Sequence, residues 1–255
     1  MTFEERILKF NELIKNAKKI VFFGGAGVST ESGIPDFRSK DGLYNTMDVK
    51  FEKYSPEYLL SCDCLYREPE VFFEFYRQKM NCEGIEPNIT HKVLAQMEAA
   101  GKLTSVITQN IDGLHQKAGS KRVWEIHGTT LKNHCRVCGQ PYEADYIFKS
   151  KEAVPRCKED DYLFECGGII RPNVVLYGES LPSYAYNEAY TDLAEADLII
   201  VGGTSLTVYP AANFIEEQVR FKKVVLINRD ETSLDDQCEL VFHESLGEVF
   251  SKIEF

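Results

Sequence analysis

Four of the eight cysteines are spaced as ligands of a metal ion. Cys135 and Cys138 form a C-x-x-C pair, 18 residues separate Cys138 from Cys157, and eight separate Cys157 from Cys166. Four thiolates suit tetrahedral zinc, and the longer interval is typical of zinc ribbons. The closing C-x8-C is wider than a usual second pair, but closing a longer loop costs little extra entropy. The spacing predicts a structural zinc, with four free thiols as the alternative.

A redox function is less consistent with this C-x-x-C, because it does not lie between a strand and a helix. The other four cysteines have no ligand-like neighbours and are predicted to be ordinary thiols: Cys62, Cys64, Cys82 and Cys238. We expect no disulfide framework, because the chain is predicted to be cytoplasmic.

Four other stretches carry groups suited to acid–base or anion chemistry. They are GAGVST (25–30), TQNIDGLH (108–115), EIHGT (125–129) and GGTSLTVYPAA (202–212). Singly, each has an ordinary explanation, since glycines make tight turns, a lone histidine is usually structural, and Asn or Asp closes Asx turns. Each of them, however, lies at the carboxyl end of a predicted strand, where open α/β sheets bind ligands.

The first of these loops departs from the dinucleotide-binding pattern G-x-G-x-x-G. Gly25 and Gly27 fill the first two glycine positions, but Thr30 occupies the third. Gly33 and Pro35 follow, and both residue types oppose the continuation of a helix. The stretch therefore begins like a dinucleotide-binding loop, but any helix that follows the loop is predicted to end near Gly33.

The elements that would position these loops follow from the apolar runs. Six runs are predicted to be buried parallel strands: 20–23, 105–108, 123–126, 174–177, 198–201 and 224–227. Helical stretches such as THKVLAQMEAAGK and YPAANFIEEQVRF lie between many of them. This alternation predicts an α/β fold with a doubly wound, Rossmann-like parallel sheet.

Two segments interrupt the alternation and are predicted to be small inserted modules. Residues 39–84 are aromatic and helical in pattern, and residues 128–171 contain the clustered cysteines. The Rossmann-like domain would then comprise 1–38, 85–127 and 172–255.

Composition narrows the class of function. The 255 residues include 29 basic and 40 acidic side chains, a net charge of −11, which argues against a general nucleic-acid binder. Ile7, Phe10 and Ile14 have helical spacing, so the first segment is predicted to be an amphipathic helix and not a signal peptide. No apolar run approaches the roughly 20 residues of a membrane span. We therefore expect a cytoplasmic protein that contacts neither membrane nor nucleic acid.

The motifs resemble those of the sirtuins, NAD-dependent protein-lysine deacylases, including the bacterial members. GAGVSTESGIPDFR, TQNIDGLH, EIHG, the paired cysteines, RPNVVLYGE and GGTSLTVYPAA occur in the family's order between about Ile20 and Asn228. The resemblance implies that NAD is consumed as a co-substrate, that zinc is structural, and that the partner is an acylated-lysine protein or peptide.

The resemblance also assigns candidate roles to individual residues. The residues that match positions binding NAD are Ala26, Gly27, Thr30, Phe37, Arg38, Gln109, Asn110, Ile111, Asp112, Gly203, Thr204, Ser205 and Asn228. His127 matches the catalytic base, which takes a proton from a ribose hydroxyl. Asp112 matches the catalytic residue that turns the nicotinamide carboxamide for release, and Asn110 matches the one that bonds the ribose hydroxyls. An imidazole suits this role because it is largely neutral at cytosolic pH. The products would be free lysine, nicotinamide and O-acyl-ADP-ribose.

The same resemblance indicates how the substrate would bind. Val175, Tyr177, Gly178 and Glu179 match the strand that pairs with the peptide backbone. Members that remove succinyl or malonyl groups carry Tyr-x-x-Arg, whereas Tyr76 is followed here at that spacing by Lys79. Because lysine is a poorer bidentate partner for a carboxylate than arginine, an uncharged acyl group, acetyl first, is predicted.

Three other functions remain as alternatives. Mono-ADP-ribosyltransferase activity would use the same NAD site, and a non-enzymatic module could sense NAD or ADP-ribose. His127, Asn110 and Asp112 argue against the sensing module, and Thr30 and Asn228 argue against a dehydrogenase.

Overall fold

The computed structural model describes residues 1–37, 42–43, 46–161 and 164–255. Its helices are α1 (Phe3–Asn16), α2 (Pro56–Leu59), α3 (Cys62–Arg67), α4 (Pro69–Lys79), α5 (Ile89–Ala99), α6 (Leu114–Ala118), α7 (Asp145–Phe148), α8 (Ser183–Glu195), α9 (Asn213–Glu216) and α10 (Leu246–Phe250). Its strands are β1 (Ile20–Gly24), β2 (Leu103–Thr108), β3 (Val123–Glu125), β4 (Gly128–Cys135), β5 (Pro141–Glu143), β6 (Asp160–Asp161), β7 (Phe164–Glu165), β8 (Ile170–Val174), β9 (Leu198–Gly202), β10 (Lys223–Ile227) and β11 (Leu240–Phe242). In this part of the chain, no helix is long and apolar enough to cross a bilayer.

A six-stranded parallel sheet forms the centre of the larger unit. Its strand order is β11-β10-β9-β1-β2-β3, and all neighbouring strands run parallel. One face packs on α1, α5 and α10, and the other packs on α8 and α9. Helices on both faces confirm the predicted doubly wound fold. The direction of winding reverses between β1 and β9, which is where such sheets bind ligands.

Helix α1 shows why the amphipathic prediction was correct. Thr2 and Glu5 form a reciprocal capping box, which satisfies donors that the first turn would otherwise leave open. Ile7, Phe10 and Ile14 then fall on one face and are buried against the sheet.

One predicted strand was wrong. Residues 174–177 do not join the parallel sheet, because β8 pairs antiparallel with β4, and the chain beyond it bonds to His127 and to the helical inserted segment. The Val175 N–H donates to the His127 carbonyl at 2.8 Å, and the Tyr177 N–H donates to the Leu60 carbonyl at 3.0 Å. The sixth strand is β11, which sequence analysis missed because its apolar run covers only three residues. An apolar run indicates burial without naming the strand that it pairs with.

The two inserted segments share one hydrophobic core. Phe72, Phe73 and Tyr76 of the helical segment pack in the same cluster as Ile147 and Cys157 of the cysteine-bearing segment. Strands β5, β4 and β8 form a small antiparallel sheet beneath this cluster. The segments therefore support each other, and the aromatic residues of α4 are chiefly packing residues.

Candidate active site and metal centre

A cavity of about 410 Å³ opens at the carboxyl ends of the parallel strands. It extends from the loops after β1, β2, β9 and β10 to the inserted segments. Every predicted catalytic, NAD-binding or peptide-binding residue that the structure describes lines it. Arg38 is the one residue of those sets that lies outside the described residues.

The glycines of the first loop allow two loops to touch at the strand-order reversal. The Gly25 N–H donates to the Gly202 carbonyl at 3.1 Å, and the Gly27 N–H donates to the Gly203 carbonyl at 2.8 Å. A Cβ on Gly27 would lie 2.7 Å from the Gly203 Cα, so no side chain fits there. The GAG and GGT sequences thus build one joint wall of the cavity.

The first loop continues into two short 3-10 helices, Ala26–Val28 and Thr30–Ser32, and not into a long α-helix. The second ends at Gly33, whose φ of 90° lies in the left-handed region that favours glycine. The chain then runs along the cavity through Ile34, Pro35 and Phe37. The break in the helix was therefore predicted correctly, and it turns an apolar segment toward the site.

A buried hydrogen-bond chain joins the first loop to the TQNID stretch. The Ser29 hydroxyl donates to Asp112 Oδ2 at 2.7 Å, and the Asn110 amide donates to the Ser29 oxygen at 3.0 Å. The Leu114 N–H holds the other carboxylate oxygen at 2.9 Å. Burial raises the pKa of Asp112, while these hydrogen bonds oppose the rise. Sequence analysis missed Ser29, although its hydroxyl within the glycine loop was an available signal.

His127 lies where β3 ends and faces the same cavity. Its Nδ1 is 3.1 Å from the Gln109 carbonyl oxygen. A carbonyl can only accept, so Nδ1 carries the proton and Nε2 keeps a free lone pair. Burial lowers the pKa of His127, which keeps the ring neutral and basic at pH 7.

The end of the cavity next to the inserted segments is apolar. Leu43, Leu60 and Met80 line it together with Tyr76, whose ring stacks between Phe72 and Phe148. The Lys79 ammonium donates to the Thr46 carbonyl at 3.0 Å. The lysine at the Tyr-x-x-Arg spacing thus already has a backbone partner.

The four predicted zinc ligands meet in space. The sulfur atoms of Cys135, Cys138, Cys157 and Cys166 all lie within 4.8 Å of one another. Two pairs are 3.5 and 3.7 Å apart. Tetrahedral zinc with Zn–S bonds of about 2.3 Å requires sulfur atoms about 3.8 Å apart, so the set fits zinc and leaves no open position. The C-x8-C pair therefore returns to the same point as the C-x-x-C pair.

The model of the Sir2 family matches residues 25–210. The chain belongs to the Sir2 family. A Clostridium perfringens (strain 13 / Type A) relative called NAD-dependent protein deacetylase is 47% identical over 251 residues, 98% of this chain and 99% of the relative. A Clostridium tetani (strain Massachusetts / E88) relative of the same name is 48% identical over 242 residues, 95% of this chain and 94% of the relative.

Solved Sir2 structures share the whole fold. One, described with a deacetylated p53 peptide and 3'-O-acetyl ADP-ribose, has a TM-score of 0.87 and 38% identity, covering 97% of this chain and 96% of its own. Another, described with p53 peptide and NAD+, has a TM-score of 0.84 and 38% identity, covering 99% and 97%. The Sir2 fold therefore accounts for nearly all of this chain.

Proposed function

We propose that this Sir2 protein is an NAD-dependent protein-lysine deacylase, with acetyl-lysine as its first substrate. Free lysine, nicotinamide and O-acyl-ADP-ribose would be its products. One observation carries the proposal: His127, oriented by Gln109, faces the same cavity as the Ser29–Asn110–Asp112 chain. A neutral base and a fixed carboxylate thus lie between two glycine loops and an apolar channel. The relatives called NAD-dependent protein deacetylases support the proposal.

The two glycine loops would hold the NAD diphosphate. Backbone N–H groups near Ala26 and Thr30, and those of Thr204 and Ser205, are suited to an anion that side chains need not neutralise. The Gly203 N–H instead donates to the Ile227 carbonyl at 3.0 Å and fixes the start of this turn. The Gln109 amide donates to the Thr204 hydroxyl at 3.0 Å and so ties the second glycine loop to the TQNID stretch. Asn228 lines the far end, where it would bond the adenine-side ribose. Bound NAD supplies the ribose carbon at which the acyl oxygen takes the place of nicotinamide.

Two side chains would then act on the reacting end. Asp112 and the Ile111 backbone would orient the nicotinamide carboxamide, because Ser29 and Leu114 hold the carboxylate in one position. The Nε2 lone pair of His127 would accept a proton from a ribose hydroxyl, while the Gln109 carbonyl stabilises the charge that forms on the ring. Asn110 would bond to the ribose, and Phe37 would cover it and exclude water.

The peptide would bind along residues 175–179, which line the cavity next to His127. Recognition would use the backbone, as in strand addition. The Glu179 carboxylate already accepts bonds from Arg171 at 2.5 and 3.0 Å and from the Leu176 N–H at 2.9 Å. The Glu179 side chain would therefore stabilise the conformation of this loop and would not itself contact the peptide side chains.

The channel favours a short, uncharged acyl group. Its lining is apolar, and the Lys79 ammonium is engaged with the Thr46 carbonyl. A carboxylate-bearing acyl group would have to draw Lys79 away from that carbonyl. We place the protein in the cytoplasm, where NAD is available and the zinc thiolates would stay reduced.

The test is a panel of acetyl-, propionyl- and succinyl-lysine peptides incubated with NAD and followed by mass spectrometry. We expect loss of acetyl with equal amounts of nicotinamide and O-acetyl-ADP-ribose, and slow turnover of the succinyl peptide. Peptide carrying ADP-ribose would instead identify a transferase, and unchanged NAD would identify a sensing module.

A further inference from the structure

The zinc ligands differ in how much water can reach them. Cys135 and Cys157 are buried, with only 1% and 4% of their surfaces exposed, whereas Cys138 is exposed. Four thiolates around Zn²⁺ leave a formal charge of −2 at the centre. A buried anionic sulfur that water cannot reach needs a hydrogen-bond donor from the protein.

The buried sulfur of Cys135 receives a hydrogen bond from the backbone of its own C-x-x-C turn. The Val137 N–H, two residues after Cys135, lies 3.3 Å from the Cys135 sulfur. This contact comes from the tight C-x-x-C turn, in which backbone N–H groups point back at the first ligand. Cys157 begins the wider C-x8-C loop, so this turn is not available to it.

The second buried sulfur has a side-chain donor instead. The Tyr142 hydroxyl lies 3.1 Å from the Cys157 sulfur. A zinc-bound thiolate carries no proton, so the phenol must donate. Among the described residues, Tyr142 is the only oxygen or nitrogen donor to this sulfur.

The phenol ring is held independently of the sulfur. Tyr142 lies in β5, where it is paired with Asn133 of β4. Its ring packs on Tyr146 at a centroid distance of 4.2 Å, and the Tyr146 hydroxyl donates to the Arg156 carbonyl at 2.6 Å. The Tyr146 hydroxyl therefore fixes the Arg156 carbonyl, while the Tyr142 hydroxyl contacts the side chain of the next residue, Cys157.

We propose that Tyr142 is a positioning residue of the zinc centre, which holds the Cys157 thiolate toward the metal by donating its phenol O–H. This bond gives Cys157 the donor that the tight C-x-x-C turn gives Cys135 through the Val137 N–H. It spreads the charge of a buried sulfur and opposes rotation of that sulfur away from zinc, so it slows the loss of the metal. Outer ligand partners of this kind commonly change metal affinity by about 10- to 100-fold.

The first test measures zinc transfer from the zinc-loaded full chain to the chelator 4-(2-pyridylazo)resorcinol. Tyr142→Phe, which removes one oxygen atom, should release zinc about 10-fold faster than wild type. Tyr146→Phe is the matched control, because it removes a hydroxyl from the same ring pair and leaves the sulfur its donor. Equal release by wild type and Tyr142→Phe, or equally fast release by both variants, would overturn the proposal.

The second test is a spectroscopic signature that packing alone does not move. In the cobalt(II)-substituted protein, losing a donor to a thiolate raises the energy of its electrons, so the sulfur-to-cobalt charge-transfer band of Tyr142→Phe should move to lower energy. Replacing Tyr142 by 3-fluorotyrosine keeps the ring and strengthens the donor, so the band should move to higher energy. This replacement also serves if Tyr142→Phe does not fold. A band that stays in place in both variants would show that the phenol does not donate to the sulfur.

Discussion

Burial shifts the pKa values of the two groups proposed to act in the cavity, Asp112 and His127, in opposite directions. Both shifts favour the neutral form of the side chain. Asp112 has its pKa raised by burial, and His127 has its pKa lowered by the same cause. The hydrogen bonds from Ser29 and Leu114 keep Asp112 usable as a carboxylate. A neutral imidazole in the same cavity as a held carboxylate suits the proposed reaction, in which nicotinamide leaves as a neutral molecule, the positive charge passes to the ribose side, and a ribose hydroxyl then loses a proton.

His127→Ala should lower the rate of deacylation by about 100-fold or more, because a positioned general base is lost. Binding of NAD, measured by calorimetry, should persist. Since the pKa of His127 is lowered from its ordinary 6.5, the wild-type rate should be flat through neutral pH and should fall only below pH 6.5, as the base becomes protonated. His134→Ala, outside the cavity, is the control. Near-normal turnover of His127→Ala would remove this residue from the mechanism.

Asp112→Asn should reduce nicotinamide release and nicotinamide exchange together. The substitution keeps the side-chain size but replaces a charged acceptor by a neutral one, and charged acceptors make hydrogen bonds about twice as strong. The measurement is incorporation of labelled nicotinamide into NAD. In wild type this exchange should require the acyl peptide, because nicotinamide leaves only when an acyl oxygen can replace it. Equal exchange without peptide would contradict a coupled reaction.

At the scale of elements, α4 connects the helical segment to the cysteine-bearing one. Arg77 does not line the cavity; its guanidinium donates to the carbonyls of Ile147 at 2.9 Å, Glu152 at 2.7 Å and Ala153 at 3.3 Å. These carbonyls precede the loop that carries Cys157. Phe148, at the end of α7, stacks on Tyr76 of α4. Helix α4 therefore fixes both the channel wall and the approach to the zinc ligands.

Arg77→Met should destabilise the protein by about 2 kcal/mol, since it keeps the apolar stem but leaves carbonyls without a charged donor. The measurement is the free energy of unfolding in urea. Arg67→Met is the matched control, because the Arg67 side chain is 74% exposed and pairs with Asp63 one turn away. Its cost should be about 0.5 kcal/mol. Equal effects of the two substitutions would show that the three carbonyl contacts contribute nothing.

At the scale of the whole molecule, the cavity lies where three hydrophobic clusters meet. Two clusters cover the faces of the parallel sheet, and the third fills the inserted segments. Asp112 and His127 follow strand ends of the sheet, and the third cluster borders the proposed acyl channel. In the proposed mechanism, catalysis should therefore depend on the docking of the inserted segments.

The stability of the sheet domain should fall in acid because of a buried histidine pair. His91 and His115 are buried with ring centroids 4.7 Å apart. Burial lowers the pKa of His91 to about 4 and that of His115 well below its ordinary value. Unfolding frees both rings to bind protons near pH 6.5, so stability is complete above that pH and decreases as the pH falls toward 4. Each ring contributes up to about 1.4 kcal/mol per pH unit.

The slope is isolated by comparing wild type with His91→Gln in urea at pH 7.5, 6.5 and 5.5. Asp112 and Glu125, whose pKa values are raised by burial, act in the opposite sense, but they are present in both proteins. Wild type should lose more stability than His91→Gln between pH 6.5 and 5.5, by up to about 1.4 kcal/mol. His134→Gln is the control and should follow wild type. Parallel curves for wild type and His91→Gln would contradict the prediction.

Much of the site was predictable because its signals are local in the chain. Strand-forming runs, the glycines after them and the cysteine spacing each occupy a few neighbouring residues, and parallel strands bring their carboxyl ends together. From these alone, the zinc cluster and four stretches that meet at one edge of the sheet could be named. The individual NAD-binding and peptide-binding residues came from the resemblance to the family. The motifs of the Sir2 family added the roles.

Only the tertiary structure decided which distant groups touch. The Ser29–Asp112 and Asn110–Ser29 bonds span 83 and 81 positions of the chain. The residues next to Ser29 in sequence do not indicate which distant side chains its hydroxyl will contact. The run 174–177 looked like a core strand, yet it pairs with β4 and bonds to His127 and to Leu60 of the helical inserted segment. The Tyr142–Cys157 contact likewise required the folded cluster. Periodicity reports which side chains are buried, but the choice among buried partners depends on packing and hydrogen-bond geometry across the whole fold.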